Sequence, residues 1–126
     1  SALSRVRKIC LALPETTERP SHGSPAFFVG AKQFVHYWDD HHGDGELCVW
    51  CAAPQGAQEM LVAADPELFF VPPYVGYRGW LGVRLNGGRD WEEIAGVLEN
   101  AWRTVANKAV PSRQRGDLQG GRKGAR

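Results

Sequence analysis

The stretch PAFFVGAKQFVHYW, residues 25–38, decides how this chain folds. Aromatic and β-branched side chains dominate both of its halves, and Gly30, Ala31 and Lys32 separate them. Two such runs joined by a short connection containing glycine predict a β-hairpin, with Lys32 at its tip. The next apolar run, residues 47–52, predicts a third strand. Because that run is nearly continuous in apolar character, we expect both faces of the strand to be covered.

Helical patterns stand at the two ends of the folded part of the chain. Apolar side chains at three- and four-residue spacings predict an amphipathic helix near the N-terminus, ending before Pro14. Asp90, with Glu93 three residues later, resembles a capping box and predicts where the last helix begins. One apolar stripe follows, and we expect this helix to run to about Ala109, just before Pro111.

The middle of the chain predicts shorter elements. Residues 54–64 carry an apolar helical face, and residues 69–71 and 80–85 have the composition of short strands. Residues 72–79 cannot form a central strand, because their prolines remove donors from the hydrogen-bond ladder. Residues 14–23 are expected to be turn and loop. The predicted fold is therefore α+β: a single domain in which an antiparallel β-sheet of hairpins packs with N- and C-terminal helices.

Charge is unevenly distributed along the 126 residues. Residues 111–126 contain five cationic side chains and one carboxylate, although the whole chain has a formal net charge of only +1. That segment has a single large aliphatic residue, Leu118, so it cannot bury enough apolar area to offset the entropy cost of ordering. We therefore expect a folded, mildly acidic domain over residues 1–110 and a flexible basic tail over residues 111–126.

The three cysteines are Cys10, Cys48 and Cys51, and their odd number argues against a disulfide framework and for a reducing, cytoplasmic location. Cys48 and Cys51 have the spacing of a redox motif. They fall in a predicted strand, however, where residues three apart point to opposite faces, so two buried small side chains are the simpler interpretation. No apolar run reaches the roughly 20 residues that a bilayer span needs, so no membrane partner is expected.

Two polar segments contain residue types that could carry chemistry. Residues 39–46, DDHHGDGE, concentrate the carboxylates and imidazoles that divalent metals prefer, but they lack the ligand spacing of a calcium loop. A solvated connection between strands is the alternative interpretation, and the sequence leaves the choice open. His22 lies beside Ser21 and Ser24, but no nucleophile or nucleotide-binding motif surrounds it. We therefore expect no catalytic residues, no cofactor and no enzymatic activity, and we assign no metal site.

Basic and aromatic side chains come together between residues 74 and 84. Arg78 and Arg84 stand among three aromatic residues, which are Tyr74, Tyr77 and Trp80. Cationic side chains neutralise phosphates, and aromatic rings stack on bases or other flat ligands. Strand alternation over residues 80–85 predicts Trp80 and Arg84 on the same face. The alternative is that Trp80 belongs to the core and that both arginines are solvated.

The order of several short motifs resembles the MmcQ/YjbR family over about residues 3–110. The motifs are Pro14, His22-Gly23-Ser24-Pro25-Ala26-Phe27, Gly30-Ala31-Lys32-Gln33-Phe34, Pro72-Pro73-Tyr74 followed by Arg78-Gly79-Trp80, and Ala101-Trp102-Arg103-Thr104-Val105-Ala106. The resemblance implies a compact α+β domain with a CyaY-like arrangement and a double wing of β-hairpins proposed to bind DNA. One wing would be the hairpin around residues 30–33. The second would involve residues 39–46, where four carboxylates depart from what a phosphate-binding surface requires.

Two functional hypotheses follow. The first, which the resemblance implies, is weak and largely electrostatic DNA binding without catalysis, with the cationic candidates Lys32, Arg78, Arg84, Arg113 and Arg115. The alternative is a module that binds a flat aromatic small molecule or a protein through an aromatic-lined surface. Its candidate residues are His22, Phe27, Tyr74, Tyr77 and Trp80.

Overall fold

The computed structural model describes residues 1–39 and 46–109. In chain order the elements are α1 (Ala2–Leu11), β1 (Thr16–Ser21), β2 (Ser24–Val29), β3 (Lys32–Asp39), β4 (Leu47–Cys51), α2 (Ala57–Ala64), β5 (Phe69–Phe70), a 3-10 turn (Gly76–Arg78), β6 (Leu81–Arg84) and α3 (Trp91–Ala109). The strands form one sheet in the order β1-β2-β3-β4-β6-β5, and all neighbours pair antiparallel. This architecture confirms the predicted α+β single domain.

Tight two-residue turns join the first three strands. His22 and Gly23 have positive φ angles of 53° and 80°, as the type I′ turn between β1 and β2 requires. Gly30, with a φ of 60°, takes the first position of the turn between β2 and β3, where a side chain would strain the backbone. The predicted hairpin over residues 25–38 is thus confirmed, and Lys32 follows its turn directly, paired with Val29.

The prediction of loop over residues 14–23 is wrong, because β1 occupies most of that segment. β1 pairs with β2 along its whole length, from Thr16 opposite Val29 to Ser21 opposite Ser24. Its side chains are exposed or half-buried, so the segment has no apolar alternation to indicate a strand. Pro20 is tolerated because β1 lies at the edge of the sheet and pairs on one side only.

The two terminal helices pack on one side of the sheet, called here the helix face. α3 packs on β2 and β3, and α1 contacts both α3 and β1. Helices and strands both contribute to this core, whose large and fully buried side chains include Phe27, Phe34, Phe69, Leu81, Ile94 and Leu98. Polar contacts fix the helices at its border. Arg7 donates from Nε and Nη2 to the two carboxylate oxygens of Glu18, both at 2.9 Å, and Trp102 Nε1 donates to Pro14 O at 3.0 Å.

A β-bulge determines which side chains of β3 point to each face of the sheet. The register of β2 against β3 shifts between Phe27 and Phe28, so that the consecutive residues Phe34 and Val35 both join the helix-face core. Gln33, His36 and Trp38 are absent from that core cluster and lie on the opposite side of the sheet, called here the open face. Paired residues of neighbouring strands share a face. Trp50 pairs with His36 and Gly82 pairs with Trp50, so both Trp50 and Gly82 also lie on the open face.

The helix boundaries follow local side-chain chemistry. Asp90 Oδ1 accepts hydrogen bonds from the backbone N–H groups of Glu92 and Glu93 at 3.0 and 3.3 Å, which confirms the predicted N-cap of α3. α2 begins at Ala57 rather than at Pro54, because Gly56 adopts a left-handed conformation with a φ of 85° just before it. Among the described residues, no helix combines the length and the apolar character needed to cross a bilayer.

Two predictions concern segments outside the described residues. Residues 40–45 make up most of the proposed second wing, and the question of a metal site there stays open. The flexible basic tail over residues 111–126, with Arg113 and Arg115, also lies outside the described range and stays a prediction.

Replacing Gly82 by alanine should destabilise the fold. A Cβ atom at Gly82 would overlap the Phe70 ring, and Arg84 Cζ lies 4.7 Å from the centroid of that ring, so moving the ring also disturbs this contact. We expect Gly82→Ala to lower the free energy of unfolding by about 1–3 kcal/mol in urea titrations. Gly96→Ala is the matched control: Gly96 lies within α3 with open space around it, so alanine should raise the free energy of unfolding by about 0.5–1 kcal/mol. Equal effects of the two substitutions would contradict this account of Gly82.

Candidate functional site

The open face carries four neighbouring rings, His22, His36, Trp38 and Trp50, called here the aromatic cluster. The Trp38 ring centroid lies 4.1 Å from that of His36 and 4.7 Å from that of Trp50. The rings of His36 and Trp50 meet edge-on at 6.3 Å, and His22 lies 6.3 Å from His36. Tilted and edge-to-face rings at these separations attract one another, so ring contacts contribute to holding the cluster together.

Strand pairing explains why these rings meet. The alternation of β3 places His36 and Trp38 on the same face, and Trp50 of β4 pairs with His36. His22 belongs to the type I′ turn that precedes β2. His36 Nε2 hydrogen-bonds to Ser21 O at 2.9 Å, and because a carbonyl oxygen only accepts, His36 Nε2 carries the proton.

The segment 72–80 lies against this cluster and begins with an unusual turn. Tyr74 has a positive φ of 67°, and the N–H of Val75 donates to Pro73 O at 2.6 Å. These two features describe a γ-turn centred on Tyr74, a conformation that costs energy for a residue with a side chain. The turn leaves the Tyr74 side chain 80% exposed beside the aromatic cluster.

α2 holds the other end of this segment. Gln58 Nε2 donates to Gly76 O at 2.9 Å and to Trp80 O at 2.6 Å. Between those two carbonyls lies Arg78, whose Cζ atom is 5.2 Å from the Trp80 ring centroid. The position of Arg78 therefore depends on a hydrogen-bonded contact with α2 as well as on its own turn.

Segment 72–80 and the open face together enclose a cavity of about 490 Å³, called here the open-face cavity. Its volume lies within the usual range for small-molecule sites. Three tryptophans, two histidines and one tyrosine dominate its lining. The lining residues are His22, Gln33, His36, Trp38, Trp50, Tyr74, Val75, Arg78 and Trp80.

A second cavity, of about 520 Å³, adjoins the first at the tip of the β2–β3 hairpin and is called here the tip cavity. Gln33, Arg78 and Trp80 line both cavities. Of the two cavities, Lys32 lines only the tip cavity, which Thr104 and Val105 of α3 also line. The structure thus brings together two of the predicted cations, Lys32 and Arg78, around one opening.

Arg84 is placed differently from the other two described cationic candidates. It lies on the open face, but its Nε atom is 3.5 Å from Glu46 Oε1 and its Nη1 donates to Pro66 O at 3.2 Å. Its guanidinium also covers the Phe70 ring. Arg84 lines neither of the two cavities, and its charge is partly neutralised within the molecule.

The predicted aromatic candidates divide into three groups. His22, Tyr74 and Trp80 come together at the open-face cavity. Trp80 is nevertheless buried and belongs to the core cluster, as the alternative interpretation predicted, and it precedes β6, so it does not alternate with Arg84 in that strand. Tyr77 is 88% exposed but lines neither of the two cavities. Phe27 is fully buried in the helix-face core, because it pairs with Val35 on the side that α3 covers, so its assignment to a binding surface is corrected.

Charge is separated across the sheet. Among the strand positions that the structure describes, the open face carries Arg19 and Arg84 and no carboxylate, whereas the helix face carries Glu18, Asp39 and one cation, Lys32. Glu46, next to β4, pairs with Arg84. The Arg19 guanidinium covers the Phe28 ring, with Cζ 3.8 Å from the ring centroid. The open face therefore combines cations with aromatic rings, an arrangement suited to anionic ligands that carry flat groups.

Sequence reasoning missed four residues of this site: Gln33, His36, Trp38 and Trp50. A signal for three of them exists in the sequence, because His36 and Trp38 are two residues apart in a predicted strand and Trp50 lies in the next one. Their convergence depends on the register of β3 against β4, which the sequence alone does not specify.

Comparison with known proteins identifies the family. The family model described as YjbR matches residues 11–104. The chain belongs to the YjbR family. This match confirms the resemblance seen in the sequence motifs. Apart from Val105, all residues that line the two cavities fall within the matched range.

One solved structure supports the same fold. The crystal structure of the Deinococcus radiodurans protein DR2400, with a DUF419 domain, superimposes with a TM-score of 0.74 at 19% sequence identity. The match covers 92% of this chain and 86% of that chain. At this level of identity the likeness concerns the fold alone. No curated protein matches the chain.

The three cysteines line neither the open-face cavity nor the tip cavity. All three are buried and none forms a disulfide; Cys51 belongs to the helix-face core and Cys48 does not, as expected for strand residues three apart. Burial raises the pKa of Cys51 to about 12, and burial raises the pKa of Cys10 as well. Both thiols are therefore protonated, and hence weak nucleophiles, at neutral pH.

The raised thiol pKa values predict a loss of stability in alkali. Above about pH 9, the unfolded chain releases thiol protons that the folded chain keeps, so the free energy of unfolding falls as the pH rises towards 12. Cys51→Ala removes one of these thiols and should make the fall shallower by at most about 1.4 kcal/mol per pH unit. Urea titrations from pH 8 to pH 11 measure both slopes, and identical slopes would contradict the burial of an ionisable thiol at Cys51.

Proposed function

We propose that this protein binds DNA through the open face of its sheet, assisted by its basic C-terminal segment, and that it catalyses no reaction. The observation that carries the proposal is that Arg19 and Arg84 lie on the open face, whereas both carboxylates at described strand positions, Glu18 and Asp39, lie on the helix face. A phosphate backbone that approaches the open face meets no carboxylate at the described strand positions, and the carboxylate of Glu46, next to β4, already pairs with Arg84. Because the net charge of the chain is only +1, we expect weak affinity that depends strongly on salt.

Three cations around this face are available to phosphates. Arg19 and Arg78 lie against the rings of Phe28 and Trp80 and form no ion pair with a described carboxylate. Lys32 is exposed beside the turn of the β2–β3 hairpin and lines the tip cavity, and its pairing with Val29 places it towards the helix face. A ring beneath a guanidinium orients it without neutralising it, so Arg19 and Arg78 keep their charge for a ligand.

Aromatic side chains at the rim favour unpaired bases over duplex DNA. His22 of the aromatic cluster and the neighbouring Tyr74 are exposed, so a base that leaves its stack can reach them. Stacking of a base on an aromatic side chain contributes about 1–3 kcal/mol, whereas the bases of an intact duplex are stacked on one another. The proposal therefore favours single-stranded DNA.

The proposal that the protein catalyses no reaction rests on the protonation of its buried thiols and on the hydrogen bonding of its buried imidazole. Burial keeps Cys10 and Cys51 protonated, and the imidazole of His36 is engaged with Ser21 O. Three cysteines without a disulfide also suit a reducing compartment, which supports the proposed cytoplasmic location.

Neutralising Arg19 or Arg78 should weaken DNA binding and its salt dependence. Each of Arg19→Gln and Arg78→Gln removes one phosphate contact, so the plot of log K against log salt should become less steep by about 0.7–0.9. Arg103→Gln is the control, because Arg103 is exposed on α3 and paired with Glu99 at 2.7 Å, away from the open face. Fluorescence anisotropy with a labelled single-stranded oligonucleotide measures all four proteins. Equal losses for the three variants would contradict binding at the open face.

Removing residues 111–126 should remove most of the non-specific affinity. That segment holds five cationic side chains, and if each contacts one phosphate, the slope of log K against log salt changes by roughly 4. The described fold ends at Ala109, so circular dichroism and thermal melting of the truncated chain should match those of the full chain. If truncation leaves DNA affinity unchanged, or if neither protein binds DNA at low salt, the proposal fails.

A further inference from the structure

The open-face cavity has the features of a site for one flat ring. Trp50 and Trp38 present their rings to it from adjacent strands, and Tyr74 reaches it from the opposite side on its γ-turn. A volume of about 490 Å³ exceeds what a single nucleobase occupies and suits a ring with an attached polar group. The aromatic lining supplies contact area for such a ring, but it does not by itself select a ligand.

Gln33 supplies a hydrogen-bond donor without a partner. Its side chain lines both cavities, and its Nε2 atom is buried with no hydrogen-bond partner among the described residues. The amide of Gln58 provides a contrast, because its Nε2 is satisfied by two carbonyl oxygens. A buried donor left unsatisfied costs roughly 1–3 kcal/mol, which a carbonyl oxygen or ring nitrogen of a ligand would recover.

Arg78 supplies a positive charge at the junction of the two cavities. It forms no ion pair with a described carboxylate, and Lys32 faces the same tip cavity. An anionic group attached to a ring in the open-face cavity would therefore emerge beside Arg78. Guanidinium groups bind phosphate oxygens through two hydrogen bonds, so a phosphate suits this position.

We propose that the open-face cavity binds a nucleobase carrying a phosphate. The base lies among Trp50, Trp38 and Tyr74, an acceptor atom on its edge takes a hydrogen bond from Gln33 Nε2, and its phosphate contacts Arg78. The same chemistry has two sources, a free mononucleotide or one unstacked base of a single strand. Only the second source rests on the proposed function.

Calorimetric titration of the full-length protein with thymidine monophosphate and with thymidine tests the assignment. We expect the monophosphate to bind more tightly than the nucleoside. Arg78→Gln should remove that difference, whereas the control Arg103→Gln should preserve it. If the two ligands bind equally to the unmodified protein, or if neither binds, the proposal is overturned. Arg78 is exposed, so its substitution does not threaten the fold.

The substitution Gln33→Leu tests whether the side-chain amide of Gln33 contacts the ligand or serves only the stability of the fold. Leucine keeps a similar volume but removes the unsatisfied donor, so the free protein should melt about 2–6 °C higher while affinity for thymidine monophosphate falls about tenfold. Gln55→Leu, at an exposed position outside both cavities, is the matched control and should change neither quantity strongly. Unchanged affinity in a folded Gln33→Leu protein would overturn the assigned role of this amide.

Competition between thymidine monophosphate and a single-stranded oligonucleotide distinguishes a free mononucleotide from a base of DNA as the ligand. It also tests this inference separately from the proposed function. If a single-stranded oligonucleotide displaces thymidine monophosphate, the cavity takes a base from DNA, and both proposals are supported. If the monophosphate binds but DNA does not, the cavity assignment stands and the proposed function fails. If DNA binds with unchanged affinity to Gln33→Leu and the monophosphate does not bind, the cavity assignment fails while DNA binding at the open face stands.

Discussion

Strand β3 supplies side chains to both faces of the sheet. The helix-face core and the open-face cavity both depend on which of its side chains points to which face. β2 and β4 pair with it, α3 packs on it, and its open-face residues line the open-face cavity. The bulge opposite Phe27 and Phe28 lets Phe34 and Val35 enter the core together and leaves Gln33 and His36 for the open face. A one-residue slip would exchange these roles, because side chains alternate between the faces wherever a strand has no bulge.

The elements that sequence patterns predicted well are those whose apolar spacing is set by the core. The β2–β3 hairpin and α3 are of this kind, because burial on the helix face demands a regular period. β1 escaped prediction because an exposed edge strand has polar residues at nearly every position. The same logic explains Phe27: an aromatic residue in a predicted strand does not reveal which face it occupies until the register is known.

The candidate site was predictable only in part for a similar reason. Arg78, Trp80 and Tyr74 are close in sequence, so their proximity was visible. Their contact with His22, His36 and Trp50 depends on long-range packing of segment 72–80 over the sheet, which Gln58 secures from α2. Arg84 shows the opposite case: its neighbours in sequence indicated a shared site, but Glu46 and Pro66 hold its guanidinium elsewhere.

The two hydrogen bonds from Gln58 link α2 to a cavity that none of its own residues lines. α2 has no fully buried residue, so it has little packing of its own to resist displacement. Any outward shift of segment 72–80 must break both bonds or take α2 with it. The exchange rate of backbone amide protons in α2 therefore reports, from a distance, whether the aromatic side of the sheet is open or closed.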